Sequence, residues 1–378
     1  MKILSLVILL LSLAAMQPAQ AQKRNILWRY INSLVNDTGD ISKPQLLVFP
    51  NIGYAPETKW DFGVTGLYVY YPNRDTTNRM SELNAFAFYT LERQYGFWFD
   101  NAVYTQNNDW FILGRIRLQS FPLLYHGIGT ATPKEYIARV DAHQIQIRER
   151  VLRKVVEDFY IGVEGDYQRL SNVTFNAGNT NAVETPLGYQ GSTNVGLGLG
   201  LIYDTRHNVL NVRHGQFSEL AFLRYENAFG SHYTFTNIVT DSRIYRPVNK
   251  RDVIAAQLLG QFNLGETPFN MLSLLGGENI MRGYYMGRFR DRNQIATQIE
   301  YRLLPLPLGF TNRLGAAFFA GAGTVFDNFN NLQQSKLLWS GGGGLRVLVF
   351  PKKDIFTRID VAFTNEGRGF YVVVGEAF

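Results

Sequence analysis

From Gln45 to the last residue the chain alternates apolar and polar positions with a period of two. That spacing belongs to strands with one face in an apolar medium and the other against polar groups. In Ile355 to Thr364, Ile355, Thr357, Ile359, Val361 and Phe363 share one parity, and Arg358 and Asp360 both fall on the other. In the stretch that starts at Gln294, Ile295, Thr297, Ile299, Tyr301 and Leu303 alternate with Ala296, Gln298, Glu300 and Arg302. Between Asn194 and Asp204 the polar parity includes three glycines, which leaves room on that face for something to sit against it. The pattern predicts about sixteen strands, with cores near 45–55, 61–71, 81–91, 95–105, 108–118, 135–149, 154–170, 194–204, 215–227, 232–246, 252–263, 294–304, 313–324, 339–349, 355–364 and 369–378. An even number is what a closed single-chain bacterial barrel requires.

The connections supply an independent criterion. With the chain entering from one end, the turns PNRDTTNR, QNND, ERVLRK, RPVNKRD and PKKD fall together there, and the long segments 119–134, 171–193, 264–293 and 325–338 fall at the other. Outer-membrane barrels separate short turns from long loops in this way, whereas a soluble sandwich has no reason to. Composition agrees: aromatics make up 14%, with 27 Phe, 21 Tyr and 35 Gly, and no apolar run beyond the N-terminus is long enough for a membrane helix. The expected fold class is all-β, a sixteen-stranded antiparallel transmembrane β-barrel over residues 45–378.

The N-terminus has a positive charge at Lys2, an apolar run from Ile3 to Ala15, and small residues at Ala19 and Ala21. This reads as a secretory signal peptide, residues 1–21. Residues 22–44 follow as a short periplasmic segment with one helical stripe, Ile26, Leu27, Tyr30, Ile31, Leu34 and Val35, and are too few for a globular domain.

Chemistry narrows the function further. A formal charge of +6 is modest for this length and gives no indication of nucleic acid as a partner. Without cysteine there is no disulfide framework or thiolate metal site. The five histidines, His126, His143, His207, His214 and His232, have no metal-ligand spacing, no G-x-S-x-G elbow occurs, and GGGGL at 341–345 lacks the lysine of a phosphate loop. We therefore expect no enzyme, no metal and no cofactor. Pro50 and Gly53 lie in the first predicted strand and Gly375 in the last. Proline cannot donate to a ladder, so a weak seam is expected where first and last strands meet. Phe378 ends the last alternating strand as an aromatic of the kind that signals barrel assembly, although Glu376 stands where that signal has an apolar residue.

The stretch GGENIMRGYYMGRFRD followed by QIEYR, at 276–302, resembles the signature loop and following strand of the BamA/TamA-like outer-membrane assembly-factor superfamily, the bacterial surface antigens. The resemblance extends to YDTRHNVLNVRHG, FAGAGTVF and RGFYVVVGEAF, and so covers most of the barrel. It implies a loop between strands eleven and twelve that folds into the lumen, with the motif Arg282, Gly283 and Tyr284 set against an inner wall bearing Glu300, Gln298 and Arg302. Gly321 stands where the family has an aspartate. Glu300 alone, a substitute such as Asp360, or a less firmly seated loop are the alternatives that follow. The resemblance also implies a member without the family's periplasmic N-terminal domains, multi-pass in the outer membrane of a Gram-negative-type cell. Its surroundings would be lipid and lipopolysaccharide, its own insertion would use the barrel assembly machinery, and a periplasmic partner protein would supply receptor modules. The implied activity is insertion or translocation of protein or lipid, and the alternative is a passive pore or structural barrel.

Overall fold

A computed structural model of the chain describes residues 42–178, 185–206, 209, 211–306 and 308–378. The expected signal peptide and most of the 22–44 segment lie outside the described residues. Sixteen long strands form the wall: β1 Gln45–Ala55, β2 Lys59–Tyr70, β3 Ser81–Thr90, β4 Tyr95–Tyr104, β5 Trp110–Ser120, β6 Ala138–Val156, β7 Phe159–Ala177 and β8 Ser192–Asp204 in the first half. The second half contains β9 Gly215–Tyr225, β10 Phe235–Pro247, β11 Asp252–Gly265, β12 Asn293–Leu303, β13 Leu314–Phe326, β14 Leu338–Phe350, β15 Ile355–Thr364 and β16 Gly367–Val374. Each pairs antiparallel with its sequence neighbours, and β1 pairs with β16, so the sheet closes on itself as the alternation required.

The two faces have the polarity of a membrane barrel. Leu197, Leu199, Phe222, Ile299, Phe318 and Phe363 stand exposed on the outer face, while Glu164, Asp166, Asn194, Glu300, Arg302 and Asp360 are buried on the inner one. Water outside would favour the reverse arrangement; hydrocarbon favours this one. No helix among the described residues is long and apolar enough to cross a membrane, so the spanning elements are the strands.

Several strand boundaries differ from the expected ones, β7 among them in reaching Ala177 rather than 170, and two of the differences have a clear physical reason. ERVLRK is not a turn: β6 continues to Val156 and the connection is Glu157 and Asp158, with Asp158 at φ 62. Its charges mislead because Arg150 points inward, donating to Glu164 Oε2 (2.8 Å) and Glu219 Oε2 (2.9 Å). A lumen satisfies charge as well as a turn does. The last strand also ends early, at Val374 rather than Phe378.

The glycines of β8 make room for neighbouring parts of the wall. A Cβ at Gly200 would come 2.7 Å from the Arg150 side chain, and one at Gly196 would come 2.7 Å from the Tyr225 ring. At Gly198 it would overlap the Phe222 carbonyl oxygen of β9, which backbone pairing holds in place. Gly198→Ala should therefore destabilise the barrel by roughly 1–3 kcal/mol, the usual range for an overpacked site. Gly66→Ala, whose nearest neighbour would be 4.0 Å away, should leave stability unchanged. Urea unfolding in lipid vesicles measures both.

Candidate functional site

The β11–β12 connection, residues 266–292, contains a two-stranded hairpin of Ser273–Leu275 and Phe289–Asp291. Its tip is held in place by backbone geometry. Gly283 has φ +105, where a side chain would be strained, and a Cβ there would sit 2.7 Å from Thr364. The Gly283 N–H donates to the Tyr371 hydroxyl (2.8 Å), the Tyr284 hydroxyl donates to Asn365 Oδ1 (2.5 Å), and Ser340 Oγ donates to the Arg282 carbonyl (2.5 Å). The loop tip thus touches β14, β15, β16 and the β15–β16 turn.

Arg282 is the centre of the arrangement, and its side chain has no solvent exposure. Nη2 donates to Glu300 Oε2 on β12 (2.5 Å), Nη1 donates to Asp360 Oδ2 on β15 (2.7 Å), and Cζ lies 3.4 Å from the centroid of the Phe319 ring on β13. The two carboxylates are shared. Arg302 Nε donates to Glu300 Oε1 (2.8 Å), Arg346 Nη1 to Asp360 Oδ1 (2.6 Å) and Arg346 Nη2 to Glu300 Oε1 (3.3 Å). Arg358 reaches Asp360 Oδ2 (3.4 Å) and the loop's Asn279 Oδ1 (2.9 Å). Glu376 completes the set through Arg346 Nε (2.9 Å). Charge-assisted bonds from planar guanidinium forks give this network both energy and geometry.

The other expected site residues are distributed as follows. Gln298 donates to the loop carbonyl of Asn279 (2.8 Å) and to Gln257 Oε1 (2.7 Å) without bonding Arg282. Gly321 carries no acid, and the space beside it is taken by Met281 of the loop, whose Sδ would be 3.5 Å from a Cβ there. Asp360 supplies the second carboxylate instead. Sequence reasoning did not assign Arg346, Arg358, Phe319, Ser340, Tyr371, Asn365 or Glu376. Parity put Arg358 with Asp360, but nothing local showed that either faces Arg282.

At the junction of first and last strands, β1 and β16 pair only at Tyr54↔Val372 among the described residues, whereas β1 pairs with β2 along its whole length. One ring pair bridges the junction, Tyr54 to Phe370 at 5.5 Å, and Phe49 of β1 meets Phe350 at the end of β14 at 5.0 Å. Pro50 stands opposite Val64 of β2. Gly53 lies under the Asp61 carboxylate, whose oxygen occupies the space a side chain would need. Gly375 is not part of the β1–β16 pairing: at φ +96 its N–H donates to Phe356 of β15 (2.7 Å), and the chain leaves the wall there. Phe378 consequently does not close a strand. It packs against Tyr245, Val212, Val253 and Ala255 while Arg302 donates to its oxygen (2.9 Å), because the positive-φ glycine directs the last residues toward the arginines of the inner face.

The loops at the opposite end are tied together. Arg288 holds Glu366 (2.7 Å) and Thr132 Oγ1 (2.8 Å), Gly129 N–H donates to Arg290 (2.8 Å), and Lys336 N–H donates to Thr130 Oγ1 (3.1 Å). His126 is buried among them with neither ring nitrogen well hydrogen-bonded.

An antiparallel barrel of sixteen strands, apolar outside and ionic inside, defines the class: a transmembrane β-barrel of the outer-membrane type. Residues 83–378 match the Omp85 superfamily domain, and the chain belongs to that superfamily. Among solved structures it is similar to BamA from Haemophilus ducreyi, in a form lacking POTRA domains 1–3, with TM-score 0.57 and 14% identity over 88% of this chain and 70% of that one. CdiB from Acinetobacter baumannii gives TM-score 0.58 and 10% identity over 88% of this chain and 65% of that one. CdiB from Escherichia coli gives 0.56 and 11% over 91% and 69%. At such identities the likeness is one of fold. The curated proteins contain no match.

Removing Arg282 would leave two buried carboxylates short of a partner, so Arg282→Ala should cost about 3–5 kcal/mol, as broken buried pairs do. Arg282→Lys, which keeps the charge but loses the fork, should recover only part of this in the same vesicle unfolding assay. The loop end has its own pH dependence. Burial, and then the Arg288 charge, push the His126 imidazole down from 6.5 to about 4. A base whose folded pKa is depressed leaves loop packing intact above the unfolded value and weakens it as pH falls from 6.5 toward 4. Hydrogen-exchange protection factors in residues 123–137, which are corrected for the intrinsic pH dependence of exchange, should fall from pH 7.5 to pH 5, and His126→Phe should abolish the fall.

Proposed function

We propose that the chain is an insertion or translocation barrel for protein or lipid in the outer membrane of a Gram-negative-type cell, working without catalytic chemistry. Residues 266–292 act as a plug clamped by Arg282, and the β1–β16 seam is the place where a client meets the membrane. The observation that carries this reading is the contrast in pairing: one register pair at the seam against full-length ladders elsewhere. Membership of the Omp85 superfamily supports it, as does the fold shared with BamA and CdiB. A seam that thin opens at the lowest cost of any interstrand boundary in the wall, because few ladder bonds need to be replaced.

The partners proposed follow from that position. Lipid and lipopolysaccharide surround the apolar outer face, the barrel assembly machinery inserts the chain itself, and a periplasmic protein delivers clients.

The native chain contains no cysteine, so a single engineered pair reports cleanly. Tyr54→Cys with Val372→Cys places two thiols directly across the seam. In a depletion strain whose outer-membrane proteins and lipids are altered, the oxidised pair should fail to restore them and reduction should rescue it. Full activity with the seam locked would refute the gate. An unchanged proteome and lipid profile, together with conductance that rises on deleting 276–290, would instead assign a passive pore.

A further inference from the structure

Beside the arginine network the lumen keeps a cavity of about 450 Å³, bordered by β1–β4, the loop residues Glu278 and Met286, and the β16 side of the seam. Its charge is the opposite of its neighbour's. Six carboxylates line it: Glu57, Asp61, Glu82, Asp100, Glu278 and Glu376. Two of these are neutralised, Asp100 by Arg117 (2.6 Å) and Glu376 by Arg346 (2.9 Å). Among the described residues no ion pair engages Glu57, Asp61, Glu82 or Glu278, and Arg358 reaches only the Glu278 backbone carbonyl (2.8 Å).

A second observation is independent of the charge. Glu57 is 3% exposed, yet its Oε2 has no hydrogen-bond partner, and the same is true of Asn51 Oδ1 and Asn84 Oδ1 on the same cavity wall. All three unsatisfied atoms are acceptors. Buried acceptors without donors are costly, so a ligand that fits here brings donors.

Shape and neighbours say which donors. The described residues contain no group of three or more His, Asp or Glu close enough to hold a metal ion, so the carboxylates are spread along the cavity rather than gathered at a point. Trp98, Phe88 and Phe121 line the same space and pack on one another, with ring centroids 5.0 Å and 6.4 Å from Trp98. The Arg117 guanidinium already lies 5.0 Å from the Trp98 ring while paired with Asp100, so one wall displays the recognition chemistry in miniature. Aromatic faces and carboxylates together hold alkylammonium and guanidinium groups, and the volume suits a small flexible chain.

We propose that this cavity is a binding site for an elongated organic cation, an aliphatic chain bearing ammonium or guanidinium groups, supplied either as a free polyamine or as lysine or arginine side chains of a peptide. The cation donates to Glu57 Oε2 and to the Asn51 and Asn84 carbonyls, and its second charge lies toward Glu82 or Glu278. The site adjoins the Arg282 clamp, with which it shares Glu376, and does not depend on seam opening.

Proton linkage follows. Burial, and then the Glu278 charge, push the Glu57 carboxyl up to about 8. The groups facing it are Lys59 in its own hairpin, Tyr285 and Glu278 from the loop, and Tyr371 from β16, with Asp61 on β2 lining the same wall. At pH 7 Glu57 is mostly protonated, so a bound cation expels a proton, and affinity rises as pH goes from 6 to 8.

The test uses the purified full chain in detergent micelles, with calorimetry and tryptophan fluorescence. Spermidine and acetyl-Lys-Leu-Lys-amide are the cationic probes, and acetyl-Gln-Leu-Gln-amide is the neutral control. We expect at least one cationic probe to bind at millimolar or lower concentration, with proton release near pH 7. Glu57→Gln combined with Asp61→Asn should weaken binding at least tenfold and abolish the release. Binding of spermidine alone would identify a free polyamine, and binding of the peptide alone would identify a side-chain ligand. No binding of either probe, equal binding of the neutral control, or unchanged affinity in a variant that keeps its heat-modifiable mobility would overturn the proposal. Should the variant fail to fold, proton release by the native chain decides: binding without release refutes the role of Glu57.

Discussion

A guanidinium that cannot lose its charge has been placed where water cannot reach it, and the surrounding wall is arranged around that constraint. The Arg282 side chain is fully buried, so its two forks must meet carboxylates, and they meet Glu300 and Asp360 from strands far apart in sequence. Each carboxylate is then shared with further arginines, Arg302, Arg346 and Arg358, until four cations interlock with three acids, Glu300, Asp360 and Glu376. Register becomes non-negotiable under these conditions. A slip of one residue in β12 would turn Glu300 outward to lipid and bring Ile299 in, leaving both the loop and the wall with unpaired charge.

Small residues on the neighbouring strands make the ionic cluster sterically feasible. A side chain at Gly344 would overlap the Asp360 carboxylate, so the glycine run in β14 leaves space for an acid on β15. Gly321 gives its space to Met281, which removes a carboxylate from β13 and brings an apolar loop side chain against the wall. Asp360 on β15 then serves three arginines, Arg282, Arg346 and Arg358. The missing acid is therefore replaced two strands along the wall, and the loop keeps two carboxylate contacts.

The lumen is thereby divided into two electrostatic regions. On the β12–β15 side each carboxylate is held by two or more arginines, and the unbonded atoms left there, Arg282 Nε, Arg302 Nη1 and Arg358 Nε, are donors. On the β1–β4 side Glu57, Asp61, Glu82 and Glu278 stand without an ion pair among the described residues, and acceptors stand without donors, beside the boundary where the wall is least paired. A network of shared ion pairs holds the loop against the wall, and the unpaired acceptors beside β1–β4 carry the cost of burial without a donor.

The sixteen strands and the orientation of their faces were readable from residue order, because alternation is a local property and a lipid-facing strand shows it without its neighbours. Glu300 and Arg302 share a parity in any register. Local reading failed where the lumen imitates a turn, as at Arg150, and where one backbone angle redirects the chain, as at Gly375 before Phe378. Partner identity was not readable. Arg282 and Asp360 lie 78 residues apart, and only closure of the barrel, with each intervening strand in register, sets their side chains 2.7 Å from each other. Sequence by itself determined which residues face oil and which face the interior, since that depends on period alone. Tertiary structure decided which charges meet and which stay unmet, since that depends on distances across a closed wall.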